Sequence, residues 1–392
     1  MKILMLAPEP FFQPRGTPIS VYFRLKALSD LGHRTDLVTY PLGEDKEFNN
    51  FRILRVPNLI GIRSIKIGPS LAKIPLDFLL LVRAFLALAA TRYDLVFSHE
   101  EGAFIGAALG NLFGTPHIYD MHSSLPQQLE NFEFSHSPLL RNAFLGMEQF
   151  VLQNSHAVIV ICKDLLQYVQ KKGFGAKAVF LENFIDFADF EPSLFPLDVV
   201  WRKKKDIAPH GEKIILYAGN FEPYQGIPLL VEAIARMTES AVLLIVGGSK
   251  REHEIARRHA ASLGAGRKLV FIEKVPPSQV SLYISLADVL VSPRLSGTNT
   301  PLKIYSFLKS GKPLVATNLW THTQVLDEKI AVLVAPEPGS LAEGLAFALH
   351  SGEAAARARA AKEMAQNEYV YPRYLEKISL TLKMAVENFK RR

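Results

Sequence analysis

The feature of this chain that most limits its fold is a repeated exchange between short apolar runs and stretches of helical periodicity. Residues 3–6 read as a strand, 20–31 as a helix closed by Gly32, and 36–40 as a second strand. Residues 94–98, 117–120 and 157–161 are further apolar runs, each followed by helical or turn-forming sequence. Strand-then-helix alternation builds parallel β-α-β units. The runs are apolar throughout, as strands covered by helices on both faces are.

The pattern stops and restarts once. Residues 192–212 hold Pro192, Pro196, the basic run Arg202-Lys203-Lys204-Lys205 and Pro209-His210-Gly211, which reads as a linker. Strand-like runs resume at 214–218, 241–246, 269–272, 289–292, 314–317 and 331–334, with helical patterning over 341–365 and 374–389. The expected layout is a first α/β domain over 1–195, a linker over 196–212, a second α/β domain over 213–368, and a closing helix in 369–392 that packs back on the first domain. With 48% hydrophobic and 21% charged residues, 392 residues can fill two cores, which excludes disorder, collagen and coiled coil for the whole chain. The single cysteine, Cys162, excludes an internal disulfide and a cysteine-rich metal site and fits a reducing compartment.

A net charge of +7 permits anionic partners without choosing one. No zinc finger or aromatic-basic RNA motif is present, so nucleic acid is not an expected partner. The apolar start at residues 3–8 is too short for a secretion signal. The longest apolar stretch, 78–90, contains Arg83 and falls short of the roughly 20 residues a membrane span needs. A cytoplasmic protein is expected. The mixed basic and apolar sequence from Ile62 through Phe85 fits a helix packed on the first sheet, or a surface touching the inner membrane face.

In open parallel sheets, ligands sit beyond the carboxyl ends of the strands. Pro14-Arg15-Gly16-Thr17-Pro18 follows the first strand. Its glycine allows close backbone approach and its helix start offers N–H groups, although a plain β-α turn fits equally. The G-x-G-x-x-G fingerprint is absent. His99-Glu100-Glu101 and Asp120-Met121-His122 put histidines at two strand ends, suited to holding a phosphate, moving a proton or bonding structurally. No H-E-x-x-H spacing appears and the sequence alone places no carboxylate beside His99 and His122, so no metal is expected.

In the second half, Gly219-Asn220-Phe221-Glu222-Pro223-Tyr224-Gln225-Gly226 and then Gly247-Gly248 follow successive strands. Glycines before a helix suit phosphate binding. The densest segment runs from Ser292-Pro293-Arg294 through Gly297-Thr298-Asn299-Thr300-Pro301-Leu302-Lys303. Lys303 stands in the first turn of a helix, where a cation opposes the helix dipole and a bound anion would relieve the conflict. A solvent-facing lysine would carry only a small penalty.

With these residues in view, the chain resembles glycosyltransferase family 4 over nearly its whole length. The resemblance is carried by the opening strand-loop-helix with Gly32-His33, by Asn183-Phe184-Ile185-Asp186, by Leu216-Tyr217-Ala218-Gly219 with Gln225-Gly226-Ile227, and by Ala287 through Pro293. Most specific are Pro301-Leu302-Lys303-Ile304-Tyr305 and Gly311-Lys312-Pro313-Leu314-Val315-Ala316-Thr317. The resemblance implies the α/β GT-B architecture: two Rossmann-like, doubly wound parallel-sheet domains facing across a cleft. It implies a retaining hexosyltransferase-like enzyme that needs no metal or other cofactor and acts in polysaccharide biosynthesis. The partners implied are a nucleotide sugar and a glycan or lipid-linked acceptor.

Carried over by position, His122 and Lys303 would be catalytic. Gly16, Thr17 and His99 would lie on the acceptor side. Lys274 and Val275 would hold the base, with Gly219, Asn220, Gln225, Gly248, Arg294, Thr298, Asn299, Thr300, Pro301, Leu302 and Ser306 completing the donor site. Two family cations that clamp the diphosphate fall on Asn220 and Gln225, and two family glutamates on Thr298 and Ser306. Losing charge-assisted contacts worth roughly 1.5–3 kcal/mol each keeps a non-catalytic nucleotide-sugar binder as an alternative. A sugar-nucleotide epimerase on the same fold is a second alternative. A phosphorylase would need a cofactor-bearing lysine that the sequence does not identify.

Overall fold

The computed structural model describes residues 1–13, 16–47, 49–59, 61–63, 65, 73–124, 138–183 and 195–391. Pro14, Arg15, Phe184, Ile185, Asp186, Pro192, and Ser64 and Lys66 through Gly68 of the basic stretch lie outside them. The chain divides into two compact units, Met1–Phe184 with Tyr371–Arg392, and Ile185–Val370.

The first unit runs β1 (Lys2–Ala7), α1 (Gly16–Asp30), β2 (Arg34–Thr39), β3 (Phe51–Arg55), α2 (Ile74–Ala90), β4 (Leu95–His99), α3 (Gly102–Phe113), β5 (His117–Met121), α4 (Pro138–Asn154), β6 (Ala157–Val160), α5 (Lys163–Lys171) and β7 (Ala178–Phe180). Its seven described strands form one sheet in the order β3-β2-β1-β4-β5-β6-β7, paired in parallel. Leu76, Leu80, Ala84 and Leu88 of α2 recur every four residues and pack as one stripe on Leu4, Leu6, Val38 and Val96. Burying each leucine stabilises the unit by roughly 1.5–3 kcal/mol. The sequence reading missed β3 and β7, both at sheet edges. β3 is interrupted by Arg52 and closed by Arg55, and β7 is only three residues long, so neither stands out as a strand-length apolar run.

The second unit runs α6 (Leu197–Ile207), β8 (Lys213–Ala218), α7 (Ile227–Arg236), β9 (Ala241–Val246), α8 (Lys250–Ser262), β10 (Leu269–Ile272), α9 (Pro277–Leu286), β11 (Val289–Ser292), α10 (Leu302–Ser310), β12 (Leu314–Thr317), α11 (Trp320–Thr323), β13 (Val332–Val334), α12 (Pro338–His350) and α13 (Gly352–Glu368). Its parallel sheet has the order β10-β9-β8-β11-β12-β13. Two sequence expectations are corrected here. Most of the stretch read as a linker is helix α6, whose Ile207 is buried in the second core while Val200 packs against it. The helical pattern over 341–365 is two helices, broken at Ser351, whose hydroxyl accepts the Glu353 N–H at 3.1 Å and caps α13.

The closing helix α14 (Tyr371–Lys390) belongs to the first unit. Tyr371 donates to Asp30 at 2.5 Å, Lys377 pairs with Glu182 at 2.6 Å, and Asn388 donates to the His156 carbonyl at 2.8 Å. In each sheet the strand order reverses direction at one pair of neighbours, β1 with β4 and β8 with β11. The loops leaving the carboxyl ends of those strands are where an open α/β sheet leaves a ligand crevice.

Candidate active site

At the switch point of the second unit, β8 leads into Gly219 and Asn220, and β11 into Pro293 and Arg294. Gly226 and Gly247 shape this end of the sheet. Gly226 has φ +73°, and a Cβ there would meet the Pro293 carbonyl oxygen at 1.9 Å. Gly247 has φ +121°, and its Cβ would fall 2.0 Å from the Gly219 carbonyl oxygen. Only glycine allows both the left-handed backbone and the close approach.

Lys303, in the first turn of α10, reaches back over β8. Its ammonium lies 3.9 Å from the centre of the Tyr217 ring and 3.4 Å from Gln225 Oε1. Gly219 lies beside it, so close that an added Cβ would be 3.2 Å from Nζ. Lys303 as a whole is partly buried, and its ammonium is enclosed. Burial, and then the neighbouring Arg294 guanidinium, push its pKa well below the usual lysine range. Among the described residues no carboxylate pairs with it. The position read from sequence as one of two lost cations, Gln225, is buried and gives Lys303 a neutral acceptor in place of a repelling charge.

Arg294 braces its own loop. Its Nη1 donates to the Asn299 carbonyl and to Thr321 Oγ1, both at 2.9 Å, bracing the loop 293–301 against α11. Thr321 also donates to the Asn299 carbonyl at 2.6 Å, and Gln324 to the Thr298 carbonyl at 2.5 Å. His322 links Ser292 at 2.9 Å to the Thr317 carbonyl at 2.8 Å, and burial lowers its pKa to about 4. Arg294 Nε and Thr300 Oγ1 are buried without a hydrogen-bond partner among the described residues. The sequence reading did not single out Tyr217, Thr321, His322 or Gln324. Asn220 exposes its side chain and uses its carbonyl to accept from Tyr217 at 2.6 Å. Gly248, Leu302 and Ser306 are partly buried and Pro301 is buried. Lys274 is exposed, while Val275 packs against the second core.

In the first unit, α1 begins at Gly16 and Thr17. Thr17 and Ser123 donate to the two carboxylate oxygens of Glu100, at 3.5 and 3.1 Å. Glu100 sits at φ +48°, a conformation strained for any residue but glycine, and burial raises its pKa. The neighbouring Glu101 pairs with Lys73 at 2.8 Å.

His122 follows β5 and is 4% exposed. His99, expected to face an acceptor, is instead the last residue of β4 and fully buried. Asp120 stands between them, with Oδ1 3.4 Å from His122 Nε2 and Oδ2 3.3 Å from His99 Nδ1. Burial alone would raise its carboxyl pKa. The Arg24 guanidinium, 2.9 Å away, and then His122 overcome that and hold it well below the usual carboxylate range.

Asp120 is the carboxylate that the sequence alone did not place. The ligand atoms of His99, Asp120 and His122 lie within 4.8 Å of one another, near enough to share an ion. Arg24 already fills one side of that carboxylate with a buried positive charge, which opposes a second cation there.

These two parallel-sheet units, each with its polar groups at the reversal of strand order, define a GT-B protein. The profile of glycosyl transferases group 1 matches residues 200–365, and that of the glycosyl transferase 4-like domain matches residues 22–183. The chain therefore belongs to the family 4 type of glycosyltransferases.

It is 23% identical over 368 residues to the phosphatidyl-myo-inositol mannosyltransferase of Mycolicibacterium smegmatis, covering 89% of this chain and 84% of that protein. It is 23% identical over 267 residues to the D-inositol 3-phosphate glycosyltransferase of Jonesia denitrificans, covering 62% and 60%. Among solved structures, HepE of Anabaena in complex with UDP has a TM-score of 0.78 at 16% identity, over 98% of this chain and 100% of that one. Sucrose-phosphate synthase of Thermosynechococcus elongatus has a TM-score of 0.79 at 20% identity, over 97% and 98%.

Proposed function

We propose that this glycosyltransferase takes a hexosyl group from a nucleotide-diphosphate sugar and transfers it, with retention and without a metal ion, to a glycan or a lipid-linked acceptor. The observation that carries this reading is the Lys303 ammonium. It is enclosed, lacks a carboxylate among the described residues, and stands in the first turn of a helix at a sheet switch point. An anion there would satisfy the cation and the helix end together. The second unit is the donor side and the first the acceptor side. The UDP-bound HepE structure and the phosphatidyl-myo-inositol for which the related mannosyltransferase is named support such a donor and acceptor.

As the bond to the diphosphate breaks, positive charge grows on the sugar and negative charge on the leaving group. Lys303 and the N–H groups of the first turn of α10 lie ready to stabilise that negative charge without rearranging. Gln225 and Asn220 hold the loop after β8 without adding charge. His122 orients the sugar or the diphosphate, and Glu100, Thr17 and Ser123 contact the acceptor. The acceptor proton passes to the departing phosphate, with no side chain assigned as base.

Helix α2 exposes Ile74, Phe78, Val82, Phe85 and Leu86 beside Arg83. No helix among the described residues is long and apolar enough to cross a membrane. The stripe fits a peripheral contact with an anionic membrane at the cytoplasmic face, where a lipid-linked acceptor in polysaccharide biosynthesis would be met.

The reading is tested by a thermal-shift panel of nucleotide diphosphates and nucleotide sugars, followed by nucleotide release in the presence of acceptors. At least one nucleotide should raise the melting temperature, and Lys303→Ala should abolish the rise. A wild type that no nucleotide stabilises would overturn the reading. The neutral residues Asn220, Gln225, Thr298 and Ser306 favour a pure binder as the second reading, which predicts stabilisation without turnover.

A further inference from the structure

A file of buried polar side chains in the first unit runs from the closing helix to His122. Tyr374 of α14 is 4% exposed, and its hydroxyl accepts from Arg24 Nη1 at 2.5 Å. Arg24, on α1, is wholly buried and donates Nη2 to the Leu181 carbonyl at 3.4 Å and Nε to Asp120 Oδ2 at 2.9 Å. The same carboxylate lies 3.3 Å from His99 and 3.4 Å from His122. Arg24, His99 and His122 thus converge on the Asp120 carboxylate, with Tyr374 one contact further out behind Arg24, and all five residues are buried.

A buried carboxylate keeps its charge only through its partners, and its orientation follows theirs. Arg24 has two anchors besides Asp120, the Leu181 carbonyl and the Tyr374 hydroxyl. Its planar fork aims Nε at Asp120 only while the other nitrogens are held. Removing the Tyr374 oxygen leaves a buried N–H without its acceptor, and the guanidinium turns to find another.

We propose that Tyr374, Arg24 and Asp120 are positioning residues for His122, so that the closing helix takes part in transfer. The proposal rests on the reading of His122 as a substrate-facing group. A packing role alone makes a different prediction. The Tyr374 ring lies 5.2 Å from the Arg24 guanidinium carbon, a stacking that phenylalanine preserves.

The test uses the full chain with isotope-labelled histidine. The ring-nitrogen signals of His122, which report its tautomer and hydrogen bonding, are compared between wild type, Tyr374→Phe and Asp120→Asn. Both substitutions should move them. The kinetic arm measures UDP release from UDP-glucose. Tyr374→Phe should lower kcat by about tenfold with KM unchanged, the scale of a small misplacement of a reacting group. Arg24→Lys should keep more activity than Arg24→Met, whereas pure packing predicts the reverse. Unmoved His122 signals in Tyr374→Phe would overturn the proposal, as would full activity in Arg24→Met. If the Arg24 and Asp120 variants do not fold, Tyr374→Phe decides alone. If the wild type is inert toward every nucleotide sugar in the panel, UDP-glucose included, the donor reading fails, and the His122 signals still decide the positioning role.

Discussion

Replacing Lys303 with methionine should strengthen the unliganded protein and weaken its hold on a nucleotide diphosphate. The ammonium is enclosed, touches the Tyr217 ring and Gln225 Oε1, and has Arg294 as its charged neighbour. A cation over an aromatic face gains about 0.5–2 kcal/mol. Burial and the like charge of Arg294 act the other way and lower its pKa. A lysine whose folded pKa lies below its unfolded value binds fewer protons when folded. Stability then rises with pH between the folded pKa and the ordinary value, and the penalty is present below it.

Each unit of lowering costs about 1.4 kcal/mol. For a unit of this size, 1 kcal/mol moves Tm by about 2–4 °C. Lys303→Met removes the penalty, so its Tm at neutral pH should exceed wild type, and the gap should close toward the pH where a free lysine loses its proton. Losing a charge-assisted contact worth about 1.5–3 kcal/mol weakens binding of a nucleoside diphosphate by about 10- to 150-fold. Scanning calorimetry from neutral to alkaline pH, and titration calorimetry with the nucleoside diphosphate that most stabilises the wild type, measure both. A variant that melts lower than wild type and binds that diphosphate equally well would refute the reasoning.

Gly226→Ala forces a left-handed alanine against the Pro293 carbonyl at 1.9 Å, so unfolding in urea should show a loss of more than about 2 kcal/mol. Burial lifts the Asp77 carboxyl to about 7, against an opposing hydrogen bond from Tyr40. Its folded form therefore holds a proton that the unfolded chain has lost, and stability falls as pH rises from the ordinary aspartate range toward 7. Asp77→Asn should flatten that fall when urea midpoints at pH ~5 and ~8 are compared with wild type. Phe78→Ser with Phe85→Ser removes two exposed rings from α2, so Tm should hold while co-sedimentation with phosphatidylglycerol vesicles drops several-fold. Unchanged sedimentation would remove the membrane contact.

The buried strands were legible because full burial imposes unbroken apolar runs. The sequence boundaries at 241–246, 289–292 and 314–317 coincide with the buried strands β9, β11 and β12, and the apolar edge strand β10 is matched at 269–272 as well. What the sequence hid was set by neighbours distant in the chain. Helix α6 looked like a linker because its basic run faces solvent and only Ile207 is buried. Asp120 and His122, two residues apart at the end of one strand, offered a readable signal. The pairing of Asp120 with His99 depends on the register of β4 against β5, which local pattern cannot supply. Arg24 read as one more residue of the helix over 20–31, since its partner Tyr374 stands 350 positions away. Lys303 was visible from its place at a helix start, but its contact with Gln225 needed β8 and β11 side by side.

The return of α14 to the first unit makes Ile185–Val370 an insertion within that unit. Ribosomes deliver a chain from its amino end, so every residue of the insertion emerges before Tyr374 does. The inserted sheet is contiguous and can close as soon as its own residues are out. The unit begun first is therefore finished last. Until translation reaches the closing helix, Arg24 awaits one of its anchors, and a nascent chain cannot yet hold the completed file of side chains that ends at His122.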